Sequence, residues 1–122
     1  MADRFQDERG VIQDLLGPID AVTEIFTKAG YIRGNHVHHR TVQYTYVISG
    51  QLLVRWGSSP WNLEGRIERL VSPGEMITEE AGVPHAWKAL EDTRVLVFTR
   101  GPRSGEAYES DTIRLDEEEK LF

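Results

Sequence analysis

The sequence predicts an all-β protein folded as a jelly-roll barrel, and three observations carry that expectation. Short apolar or alternating segments recur along the chain, separated by Gly, Pro and Ser, which is the pattern of a sandwich or barrel. Only residues 13–16 have room for a short helical turn, and Gly17-Pro18 stops it. The segments add up to eight or nine strands, and that many strands hide their edges better in a closed or double sheet than in an open one.

Residues 22–28 alternate Val22, Glu24, Phe26 with Thr23, Ile25, Thr27 and end at Gly30, as a half-buried strand does. Residues 44–48 are rich in β-branched and aromatic side chains, stop at Ser49-Gly50 and give way at once to 52–56, which makes the best hairpin in the chain. Gly57-Ser58-Ser59-Pro60 reads as a turn, residues 66–71 as a strand, and Ser72-Pro73-Gly74 as the next break. Residues 75–79, 84–90 and 94–100 follow as strands, with 108–115 as a late one. The block Asp116-Glu117-Glu118-Glu119-Lys120 predicts a solvated or frayed tail over 116–122.

Composition narrows the chemistry. The 122 residues suit one domain, and neither a repeat nor a linker divides them. A net charge of −6, with 14 basic residues scattered among 20 acidic ones, argues against nucleic acid. No apolar run approaches the length of a membrane span, and the polar, acidic N-terminus is unlike a signal peptide. The expectation is a cytoplasmic protein with no membrane partner. The absence of cysteine removes disulfides, thiolate sites and cysteine nucleophiles, so a metal would be held by nitrogen and oxygen.

Candidate ligands lie in two places. His36 and His38, two apart on an extended chain, point to one side and can face one interior point. Gln43 opens the hairpin strand, and its amide oxygen can join them if that strand lies beside theirs. His85 follows the Gly82-Val83-Pro84 turn and approaches from a separate strand. His39 should face away from His38, at the surface or the pocket rim.

These residues carry a resemblance. Gly30, five residues, His36-x-His38, four residues, Gln43, six residues and Gly50 resemble the first motif of the cupin family, with Gln43 where that motif has Glu. Gly74, Gly82 and His85 resemble the second motif, with Glu80 at its usual Pro and Ala89 at its usual Asn. The likeness spans residues 30–89, with motifs at 30–50 and 74–89. It implies a double-stranded β-helix with one divalent transition metal (Zn, Fe, Ni, Mn or Co) inside, held by His36, His38, Gln43 and His85.

Three imidazoles and an amide are neutral donors, so they predict an uncompensated, strongly Lewis-acidic ion suited to a carboxylate, an enolate or a pair of sugar hydroxyls. Thr45 should share the face of Gln43, with Tyr46 on the other. Trp87, two residues beyond His85, is expected as an apolar pocket wall or as core. Arg33 is a candidate for a substrate carboxylate, against the commoner role of a salt bridge. Glu80 is a candidate general base, against a solvated loop position. The leading expectation is an isomerase, tautomerase or lyase acting on a small hydroxylated or carboxylated molecule, with carbohydrate-derived compounds favoured. An Fe(II) dioxygenase and a non-catalytic metabolite-binding barrel are the alternatives, and a homodimer is the expected assembly.

Overall fold

The computed structural model describes residues 4–57, 66–102 and 105–122. Its elements are strands β1 (Arg4–Asp7), β2 (Gly10–Gln13), β3 (Ala21–Thr27), β4 (Ile32–His38), β5 (Val42–Ser49), β6 (Leu52–Trp56), β7 (Ile67–Val71), β8 (Met76–Glu79), β9 (His85–Ala89) and β10 (Thr93–Arg100). Helix α1 (Gly105–Asp111), strand β11 (Thr112–Arg114) and a 3-10 turn (Glu117–Glu119) follow.

Two antiparallel sheets make the barrel: four strands in the order β3-β10-β5-β8, and five in the order β11-β4-β9-β6-β7. Period-2 alternation turns one face of each inward. On β10 it buries Val95, Val97 and Thr99 and leaves Arg94 outside. Val47, Ile77, Val95 and Val97 from the first sheet meet Leu52, Val54, Val71 and Trp87 from the second in one core. The expected hairpin of residues 44–48 and 52–56 is corrected: β5 and β6 are consecutive but do not pair, because β5 lies beside β10 and β8 in one sheet and β6 beside β9 and β7 in the other. Gly50 at the turn has a φ of +91°, and a Cβ there would lie 2.5 Å from the Asp92 carbonyl oxygen.

Three other expectations are corrected. Residues 13–16 form no helical turn. Gln13 instead ends β2, which pairs with β1 in register Arg4↔Gln13 to Asp7↔Gly10. The Asp7 carboxylate accepts from the Arg9 backbone N–H at 2.9 Å and shapes that turn. Residues 108–115 are not one strand. Glu106, Ala107 and Glu109 favour helix, and the Thr112 hydroxyl closes the last turn by donating to the Tyr108 carbonyl at 2.8 Å. The tail is not frayed, since Leu121 is 1% exposed and its carbonyl accepts from Arg55 Nη1 at 2.8 Å. Of the expected Gly57–Pro60 turn, residues 58–60 lie outside the described residues. No helix among the described residues is long and apolar enough to cross a membrane.

Candidate metal centre

The barrel has a cavity of about 310 Å³ between its sheets, lined by His36, Gln43, Thr45, Glu79, His85 and Tyr108 among others. β4 delivers His36 and His38, and β9 delivers His85. A register shift between Gly34 and His36 makes His36 and His85 direct partners. Asn35 occupies the irregularity with a φ of +57°, a left-handed conformation that Asn tolerates better than most residues. An extra residue of this kind re-aims the side chains that follow it. The Asn35 side-chain oxygen accepts from the Leu121 backbone N–H at 2.8 Å, so the C-terminal segment braces the bulge. Gly34 packs so closely that a Cβ would come within 2.8 Å of the His85 carbonyl oxygen.

The ring centroid of His36 lies 4.5 Å from that of His38 and 4.7 Å from that of His85. One ring nitrogen from each of the three lies within 4.8 Å of the others. Gln43 also lines the cavity, but its strand does not lie beside β4. β5 belongs to the four-stranded sheet and reaches the histidines from across the barrel.

The hydrogen bonds behind the rings set their tautomers. Nδ1 of His85 lies 3.2 Å from the Val83 carbonyl oxygen, which only accepts, so Nδ1 carries a proton and Nε2 is the nitrogen left to face the cavity. Nδ1 of His38 lies 3.1 Å from the Thr112 hydroxyl oxygen. That hydroxyl spends its proton on Tyr108 O, so His38 Nδ1 is again the donor. This is how ligating imidazoles are held. Burial, followed by the neighbouring His85 and His38 and by Arg114, pushes the His36 pKa down to about 2, so its ring is neutral at physiological pH. Imidazoles oriented in this way, with His36 neutral, fit a divalent transition metal.

Glu79, which the sequence reading did not single out, adds a carboxylate to the cavity lining. This residue is 3% exposed. Its Oε1 accepts a short hydrogen bond from the Thr45 hydroxyl, and its Oε2 lies 3.2 Å from His85 Nε2. Glu80, weighed from sequence as a general base, is exposed, and its neighbour is the acid that faces the cavity. Strand parity holds the missing signal, because Glu79 shares the inward face of Ile77 on β8. The acid interrupts an otherwise apolar alternation.

The remaining candidates fall as follows. Thr45 is buried on the cavity side, whereas Tyr46 faces a separate apolar groove with Leu96 and Phe98. Trp87 is both cavity wall and core. Arg33 stands exposed at the rim, its Nε donating to Thr27 Oγ1 at 2.7 Å and Nη2 to the Phe26 carbonyl at 3.1 Å, so it is held by neutral oxygens rather than by an acid. His39 is exposed. Asp111, unnoticed in the sequence, is buried and accepts from the backbone N–H groups of Arg40 and Thr41 at 2.9 and 3.1 Å and from the Thr41 hydroxyl. Burial works to raise its pKa, but these hydrogen bonds prevail and hold it below the usual carboxylate value.

Residues 23–99 match the family model described as a Cupin domain. No curated protein matches the chain. Among solved structures, the capsular polysaccharide assembling protein CapF from Staphylococcus aureus superposes at a TM-score of 0.71 and 24% identity, over 95% of this chain and 33% of that one. The chain therefore spans about a third of CapF. The dTDP-4-dehydrorhamnose 3,5-epimerase from Sulfolobus tokodaii gives 0.72 and 15% identity, over 98% and 76%. QdtA, a sugar 3,4-ketoisomerase from Thermoanaerobacterium thermosaccharolyticum solved with TDP, gives 0.67 and 17%, over 93% and 83%. At these identities the likeness is one of fold.

Proposed function

The chain belongs to the cupin family, and from that premise we propose that it is a metal-dependent enzyme that isomerises or tautomerises a small hydroxylated carbonyl compound derived from carbohydrate. The observation that carries this reading is the pair of outward Nδ1 donors on His38 and His85, which leaves Nε2 of both rings as the donor atom beside a neutral His36. His36, His38 and His85 would hold a divalent transition ion together with Gln43, which lines the same cavity. Such an ion supplies Lewis acidity toward oxygen, which lowers the cost of charge that builds up when a carbon acid beside a carbonyl loses its proton.

The chain's own residues do the rest. Ile25, Trp87 and Val97 give the cavity an apolar wall against which a sugar ring can lie. Tyr108 brings a phenol to the same space, placed to exchange a proton with a substrate hydroxyl. Arg33 at the rim, anchored through Thr27 and Phe26, presents a cation for a substrate carboxylate or phosphate. The sugar epimerase and ketoisomerase among the structural neighbours support a carbohydrate substrate.

The test combines metal analysis with solvent exchange. Protein purified without chelator or added metal should carry about one equivalent of a transition metal, and His85→Ala should lose it. Deuterium should enter keto-sugar substrates from solvent only with loaded protein. Iron-dependent oxygen uptake in place of exchange would point to a dioxygenase. Ligand affinity that persists after the metal is removed, without turnover, would leave a binding barrel.

A homodimer in a cytoplasmic setting completes the proposal. Among the described residues β1 and β2 pair only with each other, and a lone two-stranded hairpin is marginal in water. The hairpin exposes Phe5 and Ile12 at 56% and 68%, while Leu15, Ile19, Leu96 and Phe98 line an apolar groove on the outer face of the four-stranded sheet. Two unmatched apolar surfaces on one chain fit a second copy. The lack of cysteine is compatible with a reducing compartment.

A further inference from the structure

We propose that Glu79 is an anionic ligand of the same centre, so that the carboxylate missing at position 43 is supplied from the adjacent strand; this rests on the metal reading above. Gln43 and Glu79 are direct partners across β5 and β8. Opposed residues of an antiparallel pair project from the same face of the sheet, and both line the histidine cavity. Relative to the family motif, the chain has the amide where the acid is usual and an acid one strand over. The charge has moved by about one strand spacing, 4.7–4.9 Å, and still faces the same space.

The surroundings of Glu79 call for a cation. A carboxylate that is 3% exposed is costly unless it is paired and hydrogen-bonded. One oxygen has the Thr45 hydroxyl. The other faces His85 Nε2 at 3.2 Å, its one ion-pair partner among the described residues. With His85 Nδ1 directed at Val83 O, Nε2 is the ring atom turned to that oxygen, and it makes no hydrogen bond. Two acceptor atoms at this distance are held by a positive centre between them, a ring proton or a metal ion, and the three converging imidazoles with Gln43 beside Glu79 favour the ion. Donors bound at about 2.0–2.2 Å to one ion, and roughly at right angles or tetrahedrally disposed around it, lie about 3 to 3.5 Å apart. The Glu79–His85 spacing is that of two neighbouring ligands.

One consequence concerns the substrate. A carboxylate ligand reduces the net charge of a divalent centre by one, which tempers its Lewis acidity and favours a singly charged enediolate over a dianionic ligand. A second concerns Thr45, which becomes the residue that fixes the ligand oxygen's rotamer.

The experiment is a zinc titration of metal-free protein against a competing chelator, run on wild type, Glu79→Gln and the double variant Glu79→Gln/Gln43→Glu, with thermal melting as the check on folding. The expected result is one zinc per wild-type chain, binding about 10- to 100-fold weaker in Glu79→Gln, and recovery of most of that loss when the acid is returned to position 43. Equal affinity in Glu79→Gln overturns the inference while leaving the metal centre standing. A loss that Gln43→Glu does not recover assigns Glu79 to holding His85 and also overturns it. Wild type that takes up no ion removes the parent reading and this one together. A crystal structure of zinc-loaded wild type needs no variant: Glu79 Oε2 should lie within about 2.2 Å of the ion, and an oxygen left outside coordination distance overturns the assignment.

Discussion

Nδ1 of His38 and Oγ1 of Thr112 lie 3.1 Å apart across β4 and β11, and the same hydroxyl donates to Tyr108 at the end of α1. The short strand β11 thus holds one imidazole in a fixed tautomer and ties the helix to the centre. Thr112→Val keeps the shape and removes the acceptor, leaving a buried Nδ1–H without its partner. Zinc affinity should fall about 10-fold or more, while Thr112→Ser should stay near wild type. Chelator competition measures both, and an undiminished affinity in the valine variant would remove Thr112 from the centre's support.

The C-terminal segment should matter to the centre although it lies outside the family match over residues 23–99. Leu121 is buried at 1% exposure, and its N–H pins Asn35 beside His36. Leu121→Ala should cost about 2–3 kcal/mol in denaturant unfolding, within the usual range for a buried leucine. It should also weaken zinc binding through the loosened bulge. A variant with wild-type stability would mean that this contact contributes little.

Much of this was legible in the sequence, and what was not has physical reasons. The histidines, Gln43 and Thr45 lie on strands whose alternation assigns a face to each residue, so one period-2 rule places them. Glu79 follows the same rule but is masked by Glu80 beside it, because a carboxylate at a loop edge reads as solvated. The sheet to which β5 belongs depends on non-local pairing with β10 and β8, which no local pattern encodes. α1 and β11 share a stretch too short for either period to register. Leu121 was obscured by the acidic run before it, since a single apolar anchor carries no periodicity.

Asp111 holds the turn between β4 and β5 by accepting two backbone N–H groups and the Thr41 hydroxyl. Asp111→Asn places an amide among donors and leaves some of them unmet. The expected loss is about 1.5–3 kcal/mol, the range for hydrogen bonds to a charged group, read as a lower denaturant midpoint. Arg40 also approaches Asp111, at 3.5 Å, but its side chain is 77% exposed. Arg40→Ala should therefore change stability by less than about 1 kcal/mol. Equal effects of the two substitutions would mean that the ion pair, not the backbone latch, holds the turn.

The proposed dimer makes an independent prediction. Ile12 is 68% exposed on the hairpin, where a substitution disturbs no core packing. Ile12→Glu should shift sedimentation from dimer to monomer while leaving the far-ultraviolet spectrum unchanged. Wild type that sediments as a monomer at micromolar concentration would refute the assembly.

The His36 pKa lies below its ordinary value of 6.5, at about 2, first because the ring is buried and then because His85, His38 and Arg114 surround it. The folded chain therefore refuses a proton that the unfolded chain accepts below pH 6.5. Stability from this group is fully present above the unfolded value and is lost as pH falls from there toward the folded one, by up to about 1.4 kcal/mol per pH unit. In metal-free protein, denaturant unfolding at pH 6 and pH 5 should show wild type losing about 1 kcal/mol more than His36→Gln. Zinc should raise the melting temperature less at pH 5 than at pH 7, because protons compete for the ligand nitrogens. Identical pH slopes in wild type and His36→Gln would show that His36 takes its proton as readily in the folded chain as in the unfolded one.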